Sequence, residues 1–482
     1  MMKGKLSLAA ILALTAGVAI ASDKPQVDFD RNAGTGFKQL YTGKAAAGLD
    51  IPVPQMSEAS KAAIATPARA ATKEWTVMVY INGKNNLASD AISDTNEMEA
   101  VGSSDKLNIV VELGHMPQNN GGYYGGGGGG GYDGWDWGYG GYGTGIGVGP
   151  HPPYMPPMMG KDGKAAATKS ETWTGSRRYL IAKDADMSTI SSPVLQSFDK
   201  VDMGDYKHLI EFAKWAKANY PARKYALIVW NHGSGWKRRA TFSKGISYDD
   251  ETNNHITTPQ LGEAMAAIGK VDVYGSDACL MQMVEVNYQI KDYASYIVGS
   301  EETEPANGYD YTKWLSRLAA NPTASASELA KYAVQAYTES YTEKKQNITQ
   351  SYVKASSMNG LASLMSAWAD TAIAAKETAL YNSALSQVQK FSDDDNVDLY
   401  HYVKLVHEGT KNEALKAKSV ELMTYLAKQT VMLNSYLGDK YKNAYGIAVY
   451  LPTGTMDGSY NSLAFASATH WVNFINAMKA AN

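Results

Sequence analysis

The chain offers one thiol and eight imidazoles in 482 residues. The thiol, Cys279, lies in residues 271–281, VDVYGSDACLM, and one of the imidazoles, His232, lies in residues 225–236, YALIVWNHGSGW. Both stretches run from a short apolar segment into a turn marked by glycine. Such segments read as central strands of a parallel sheet, and open α/β sheets place chemistry just past the carboxyl ends of their strands. The first strand is expected to end at Gly275, which puts Cys279 beyond it. If the two strands are neighbours, thiol and imidazole meet as a nucleophile and its acid/base partner. An imidazole with an ordinary pKa of about 6.5 can take the thiol proton and later protonate a leaving amine. The glycines at 233 and 235 allow a substrate backbone to come close. Backbone N–H groups of Gly233 and Cys279 are the expected oxyanion donors.

The elements that must hold these two residues follow from periodicity. Residues 74–81, EWTVMVYI, read as a strand, and Asn82-Gly83 and Asn85-Asn86 as the turn after it. Leu87, Ala91, Ile92, Met98 and Val101 then share a helical face, and residues 107–113 form a second buried strand, completing a βαβ unit. Residues 172–182 alternate like a hairpin arm. Asp205 is placed to cap a helix that carries Leu209, Phe212, Ala213 and Ala216 on one face and stops before Pro221. A polar segment follows His232 to about residue 254; helices are expected near 259–268 and 281–288, with a buried strand at 296–299. From 325 onward helical patterns dominate, at 329–337, 360–376, 397–407 and 414–434, before a late strand at 445–450. The class is therefore α/β, with a mostly parallel central sheet and a helix-rich C-terminal part.

Composition narrows the function. Hydrophobic residues at 44%, charged residues at 19% and a net charge of −3 describe a globular protein with no overall basic field for nucleic acid. Lys3 and Lys5 precede an apolar run at 6–20, and Ala19-Ile20-Ala21 supplies a small-x-small cleavage pattern, so residues 1–21 read as a signal peptide. The run is shorter than the roughly 20 residues a spanning helix needs, which predicts an exported protein with no membrane span, in the periplasm, at the cell surface or outside the cell. A single cysteine allows no internal disulfide in that setting. Residues 22–72 read as a leader or pro-segment, 73–320 as the catalytic core and 321–482 as a helix-rich region returning the strand at 445–450 to that core. A Gly/Tyr-rich insertion at 118–170 interrupts the core; 17 of residues 121–149 are glycine, too many to offset ordering entropy, and a flexible surface loop is expected.

Beyond these readings, the chain resembles the clostripain family of secreted cysteine peptidases. The resemblance rests on WTVMVYINGKNNL, LNIVVEL, the stretch from VDMGDYKHL to IVWNHGSGW, YGSDACLMQMVEV, GSEETEPANGYDY and YGIAVYLP, in order from Trp75 to Pro452. It implies a caspase-like three-layer α/β/α sandwich, and a catalytic dyad of His232 and Cys279 with no required third member. It also implies cleavage of protein or peptide substrates after Arg or Lys, with Asp277 lining the primary specificity pocket. A carboxylate beside the nucleophile independently suits a cationic side chain, and by like-charge repulsion disfavours an aspartate-specific preference. The family is often made as a precursor, which points to Lys237, Arg238, Arg239 and Lys244 as processing positions. Some relatives need calcium, for which Glu301, Glu302 and Glu304, or Asp249, Asp250 and Glu251, are the candidate ligands, although neither group has the spacing of a recognised loop. The chemistry itself requires no cofactor, no zinc signature is present, and a monomer is expected. The rival reading from another class is an exported binding or adhesion protein on an inactive peptidase scaffold, engaging a surface through the Gly/Tyr/Trp-rich loop.

Overall fold

Apolar residues run almost continuously along the inner strands because each strand is buried on both sides. In the computed structural model, which describes residues 72–116, 172–236 and 245–479, strand β1 (Lys73–Gly83) sends Met78 and Tyr80 into one core and Trp75, Val77, Val79 and Ile81 into the other. Strands β2 (Leu107–His115), β5 (Ala222–Trp230), β8 (Val271–Asp277) and β9 (Ala294–Gly299) run parallel with it in the order β2-β1-β5-β8-β9. Antiparallel strands finish both edges: β3 (Gly175–Leu180) and β4 (Val194–Phe198) beyond β2, and β10 (Ile348–Lys354) and β12 (Val431–Leu437) beyond β9, for nine strands among the described residues.

Helices cover both faces. Helices α1 (Ala88–Glu99), α5 (Tyr311–Ala320) and α6 (Ala326–Lys344) bury Ile92, Trp314 and Leu329 against the Trp75 side. On the Tyr80 side, α2 (Tyr206–Asn219), α3 (Thr258–Ile268) and α4 (Val284–Ile290) bury Phe212, Met265 and Val286. The same core extends into α7 (Met358–Ala375), α8 (Thr378–Gln387), α9 (Leu399–Gly409) and α10 (Glu413–Tyr425), where Trp368, Tyr381, Tyr402 and Leu422 are buried. Local chemistry starts these helices where the sequence indicates. The Asp205 carboxylate accepts from the Lys207 N–H at 2.9 Å, and Thr257 with Gln260 and Ser325 with Glu328 form capping boxes.

Several expected boundaries shift. Strand β8 does not stop at Gly275 but continues to Asp277; the missing side chain makes room for Ile228 of β5, whose Cδ1 would lie 2.8 Å from a Cβ there. The polar segment after His232 contains a short hairpin, β6 (Ile246–Asp249) and β7 (Asn254–Ile256). The helix expected at 281–288 begins only at Val284. The helical pattern at 414–434 breaks at Tyr425, passes through a π turn at Leu426–Thr430, and its last residues become edge strand β12. Residues 396–398 are likewise strand, β11 (Asn396–Asp398), before the helix begins. The late strand is β13 (Ala448–Tyr450); it is buried in the core but pairs with β11 rather than joining the nine-stranded sheet. The expected signal peptide, the leader to residue 71, the Gly/Tyr-rich stretch and the basic residues 237–244 lie outside the described residues.

One loop matters for the site. After β1 the chain runs Asn82-Gly83-Lys84-Asn85-Asn86, and three of these side chains fasten it to β6. The Asn82 amide donates to Ser247 Oγ at 3.1 Å, and the Asn85 amide to the Tyr248 carbonyl at 2.8 Å. The Lys84 ammonium, fully buried, sits 3.1 Å from Asp249 and 2.5 Å from Glu251, and donates to the Val201 carbonyl. Removing one member of a buried ion pair strands the other charge, so Lys84→Met should lower stability by about 3–5 kcal/mol. Denaturant unfolding of wild type and variant measures this.

Candidate active site

The sheet's register brings the two reactive side chains together. Strands β5 and β8 align Trp230 with Asp277, and the Asn231 N–H donates to the Asp277 carbonyl at 3.2 Å. His232 and Cys279 each lie two residues past that pair, so both leave the same end of the sheet. Their turns abut: a Cβ on Gly233 would lie 2.4 Å from the Cys279 carbonyl oxygen, an approach only glycine permits. His232, Cys279, Asp277 and Glu304 line one cleft, with Trp230 and Gly308 on its walls.

The imidazole is buried and held by its surroundings. Its Nε2 lies 2.8 Å from Oδ1 of Asn86. The neighbouring Asn231 accepts the Tyr248 N–H at 2.7 Å and donates to the Asn82 carbonyl at 2.5 Å, while Ser234 Oγ and the Tyr248 hydroxyl share a bond of 2.7 Å. Burial pushes the His232 pKa down to about 4, because the desolvated ring resists charge. The ring is neutral at neutral pH and available as a base.

The thiol of Cys279 is half-buried, and its Sγ accepts the Glu304 backbone N–H at 3.2 Å. The next residue, Leu280, is buried with φ of +62°, a left-handed conformation that a leucine seldom adopts, and its N–H donates to the Glu302 carbonyl at 3.1 Å. The turn carrying Cys279 is thus strained and tied to residues 302–304.

Beside the thiol is a buried acidic recess. The Asp277 carboxylate accepts the Tyr309 N–H at 3.2 Å on each oxygen and the Tyr311 hydroxyl at 2.9 Å. Its side chain also bonds the Glu304 carboxyl, which receives the Gln350 amide at 3.4 Å. Burial raises the Asp277 pKa to about 6, and burial with the nearby Asp277 charge drives Glu304 well above the usual carboxylate range. The two carboxyls therefore share a proton at neutral pH, and the recess carries about one negative charge rather than two. One oxygen of Glu304 and the Gln350 side-chain oxygen, both buried, receive no N–H or O–H donor from another residue among those described. A cationic guest with several N–H donors would satisfy them.

The sequence can be compared with known families against this geometry. A family model described as the clostripain family, Peptidase_C11, matches residues 79–477. The chain belongs to the clostripain family. Clostripain from Hathewaya histolytica is 31% identical over 134 residues, 25% of this chain and 26% of that protein, so the match spans about a quarter of that relative's length. A secreted C11 cysteine protease from Bacteroides thetaiotaomicron, solved with an irreversible peptide inhibitor, superposes with a TM-score of 0.57 at 19% identity, covering 83% of this chain and 99% of the other. An inactive zymogen C11 protease from Parabacteroides distasonis gives 0.57 at 17% identity with the same coverage. The fold is accordingly the caspase-like three-layer sandwich of clostripain-family cysteine peptidases. Among the described residues no helix is long and apolar enough to cross a membrane.

Within this clostripain-family site, two residues escaped the sequence analysis. Glu304 was grouped with Glu301 and Glu302 as a cation ligand, but the three diverge. Glu301 accepts the Gly446 N–H at 3.0 Å, Glu302 accepts the Ser392 N–H at 3.0 Å, and Glu304 enters the recess. In the other acidic group, Asp249 and Glu251 share the single Lys84 ammonium. Among the described residues no group of three or more His, Cys, Asp or Glu side chains converges on one point. Asn86 was read only as part of a turn.

Carboxyls with raised pKa values stabilise the fold at low pH and lose that contribution as pH rises through the folded-state value. Glu304→Gln, which keeps the shape and removes one titrating group, should raise Tm by roughly 2 °C at pH 8 and change it little at pH 5. Thermal scans at both pH values test this.

Proposed function

We propose that this protein is a secreted endopeptidase that cleaves peptide bonds after Arg or Lys, with Cys279 as nucleophile and His232 as acid and base. The observation carrying this reading is a thiol and a neutral imidazole in one cleft whose adjoining recess is acidic, buried and short of hydrogen-bond donors. Family membership, the N-terminal targeting pattern and the secreted relative with a peptide inhibitor support it.

In this reaction the imidazole takes the Cys279 proton while sulfur attacks the scissile carbonyl carbon. The tetrahedral oxyanion is met by the Gly233 and Cys279 N–H groups on the abutting turns. Imidazolium then protonates the departing amine, leaving a thioester. Water, deprotonated by the same ring, attacks the thioester, releases the carboxylic acid and restores the thiol. The residue before the cut bond places its cation against Asp277 and Glu304, where burial makes each charge-assisted hydrogen bond count for more than in water.

A fluorogenic Arg substrate should be cleaved, a Lys analogue also, and an Asp analogue not; Cys279→Ala or thiol alkylation should abolish turnover. Asp277→Asn should reduce kcat/KM for the Arg substrate roughly 10- to 100-fold, the scale of a lost hydrogen bond to a charged group. Because Asp277 ionises near pH 6 and His232 is neutral above about pH 4, the acid limb of kcat/KM should fall near 6. An acid limb near 4, unchanged in Asp277→Asn, would remove the recess from the account.

We also propose self-processing between the two catalytic residues, at Lys237, Arg238, Arg239 or Lys244, in keeping with the zymogen described for a relative. N-terminal sequencing should find a new terminus in that interval for wild type and an uncut chain for Cys279→Ala. A shared single-chain product would rule self-cleavage out.

A further inference from the structure

A dyad needs its imidazole in one tautomer and one orientation, and something must set both. His232 is followed by Gly233, which supplies no side chain to brace it, so the restraint has to come from elsewhere in the fold. The atom in place is Oδ1 of Asn86, 2.8 Å from Nε2 of His232. A carboxamide oxygen can only accept, so Nε2 carries the ring proton and Nδ1 is the ring's basic atom.

The placement of Asn86 is unusual for its type. An asparagine one or two residues before a helix ordinarily spends its oxygen on the helix's free N–H groups. Helix α1 starts at Ala88 with Leu87 in the cap position and no side-chain cap bond, so the Asn86 oxygen is committed to the imidazole instead. Asn86 itself is exposed, yet its neighbours do not move freely. Asn82, Lys84 and Asn85 bond to β6, the Asn85 Oδ1 accepts the Leu87 N–H at 2.9 Å, and Gly83 packs so closely that a Cβ would lie 2.7 Å from the Gly114 carbonyl. Strand β1 also pairs in parallel with β5, Ile81 opposite Trp230, so the loop and His232 leave the sheet at the same end. An exposed side chain presented by a pinned loop is suited to positioning another group rather than to holding up the core.

We propose that Asn86 is a positioning residue of the reaction, holding His232 as the Nε2–H tautomer with Nδ1 as its base. This rests on the dyad assigned above and adds a third member to it. Asn86 acts on the reacting atoms only through the ring. As the ring charges during turnover, the same oxygen accepts a stronger, charge-assisted bond from Nε2–H, which favours the transition state over the resting enzyme. Among the described residues, the titratable groups lining the cleft with the ring are Cys279 from the turn after β8, Asp277 from the strand end and Glu304 from the segment after β9. The pKa of His232 answers chiefly to burial. A carboxylate in place of Asn86 would add a charge at a known atom.

The test compares Asn86→Ala and Asn86→Asp with wild type in the full chain. Asn86→Ala should lower kcat roughly tenfold, the scale of one net hydrogen bond, with KM within about twofold and Tm unchanged. Asn86→Asp should restore much of that kcat and raise the His232 pKa, visible as an upward shift of the acid limb of kcat. Independently of turnover, 15N NMR of the Cys279→Ala chain, with the His232 signals identified by their absence in His232→Gln, should show Nε2 protonated in wild type and mixed tautomers in Asn86→Ala. Unchanged kcat in Asn86→Ala, or a wild-type ring protonated on Nδ1, overturns the proposal. An inactive wild type with the Nε2–H tautomer present would refute the peptidase reading while leaving this contact standing.

Discussion

The site depends on the in-register parallel pairing of β5 with β8. Because Trp230 stands opposite Asp277, equal numbers of residues carry the chain to His232 and to Cys279, and the thiol and the imidazole emerge side by side. Side chains alternate with a period of two, so a slip of one residue would turn one group toward the opposite face. Burial on both sides of the sheet guards against that slip, since it would expose Val273 or Leu227 and their neighbours to the wrong environment. Core packing and the geometry of the cleft are therefore one constraint here.

The acidic recess is the counterpart of that constraint. Two carboxyls held in a buried pocket cannot both ionise, and the fold answers by surrounding Asp277 with donors from Tyr309 and Tyr311 and by letting Glu304 keep a proton. The arrangement tolerates being empty, which a fully charged pocket would not, and it still keeps one anionic site. Glu304 joins the two functions, since its backbone N–H holds the sulfur while its side chain lines the pocket.

Much of this was legible in the sequence. Central strands are continuous apolar runs, the cap at Asp205 is chemically explicit, and the glycines after His232 announce close backbone approach. The edge strands were not legible. Residues 431–437 continue a helical pattern and become β12 only through pairing with β10, a tertiary choice that local periodicity does not encode. Glu304 and Asn86 were missed for a related reason. A carboxylate in an acidic turn and an asparagine in a polar loop look like solvated residues, and only long-range packing reveals that one enters a buried recess and the other faces a ring. The strand ending at Asp277 rather than Gly275 reflects a fit to Ile228 on the neighbouring strand, again invisible in one dimension.

The left-handed backbone of Leu280 carries an implication for engineering. Glycine would adopt that conformation without strain, yet the leucine side chain is almost entirely enclosed, at 2% exposure, and emptying its site would forfeit more than the relaxation returns. The position is thus caught between a backbone that favours the smallest residue and a core that needs a large one. Attempts to rigidify or soften this protein at 280 would trade one liability for the other, and thermal hardening is better sought away from the turn that carries Cys279.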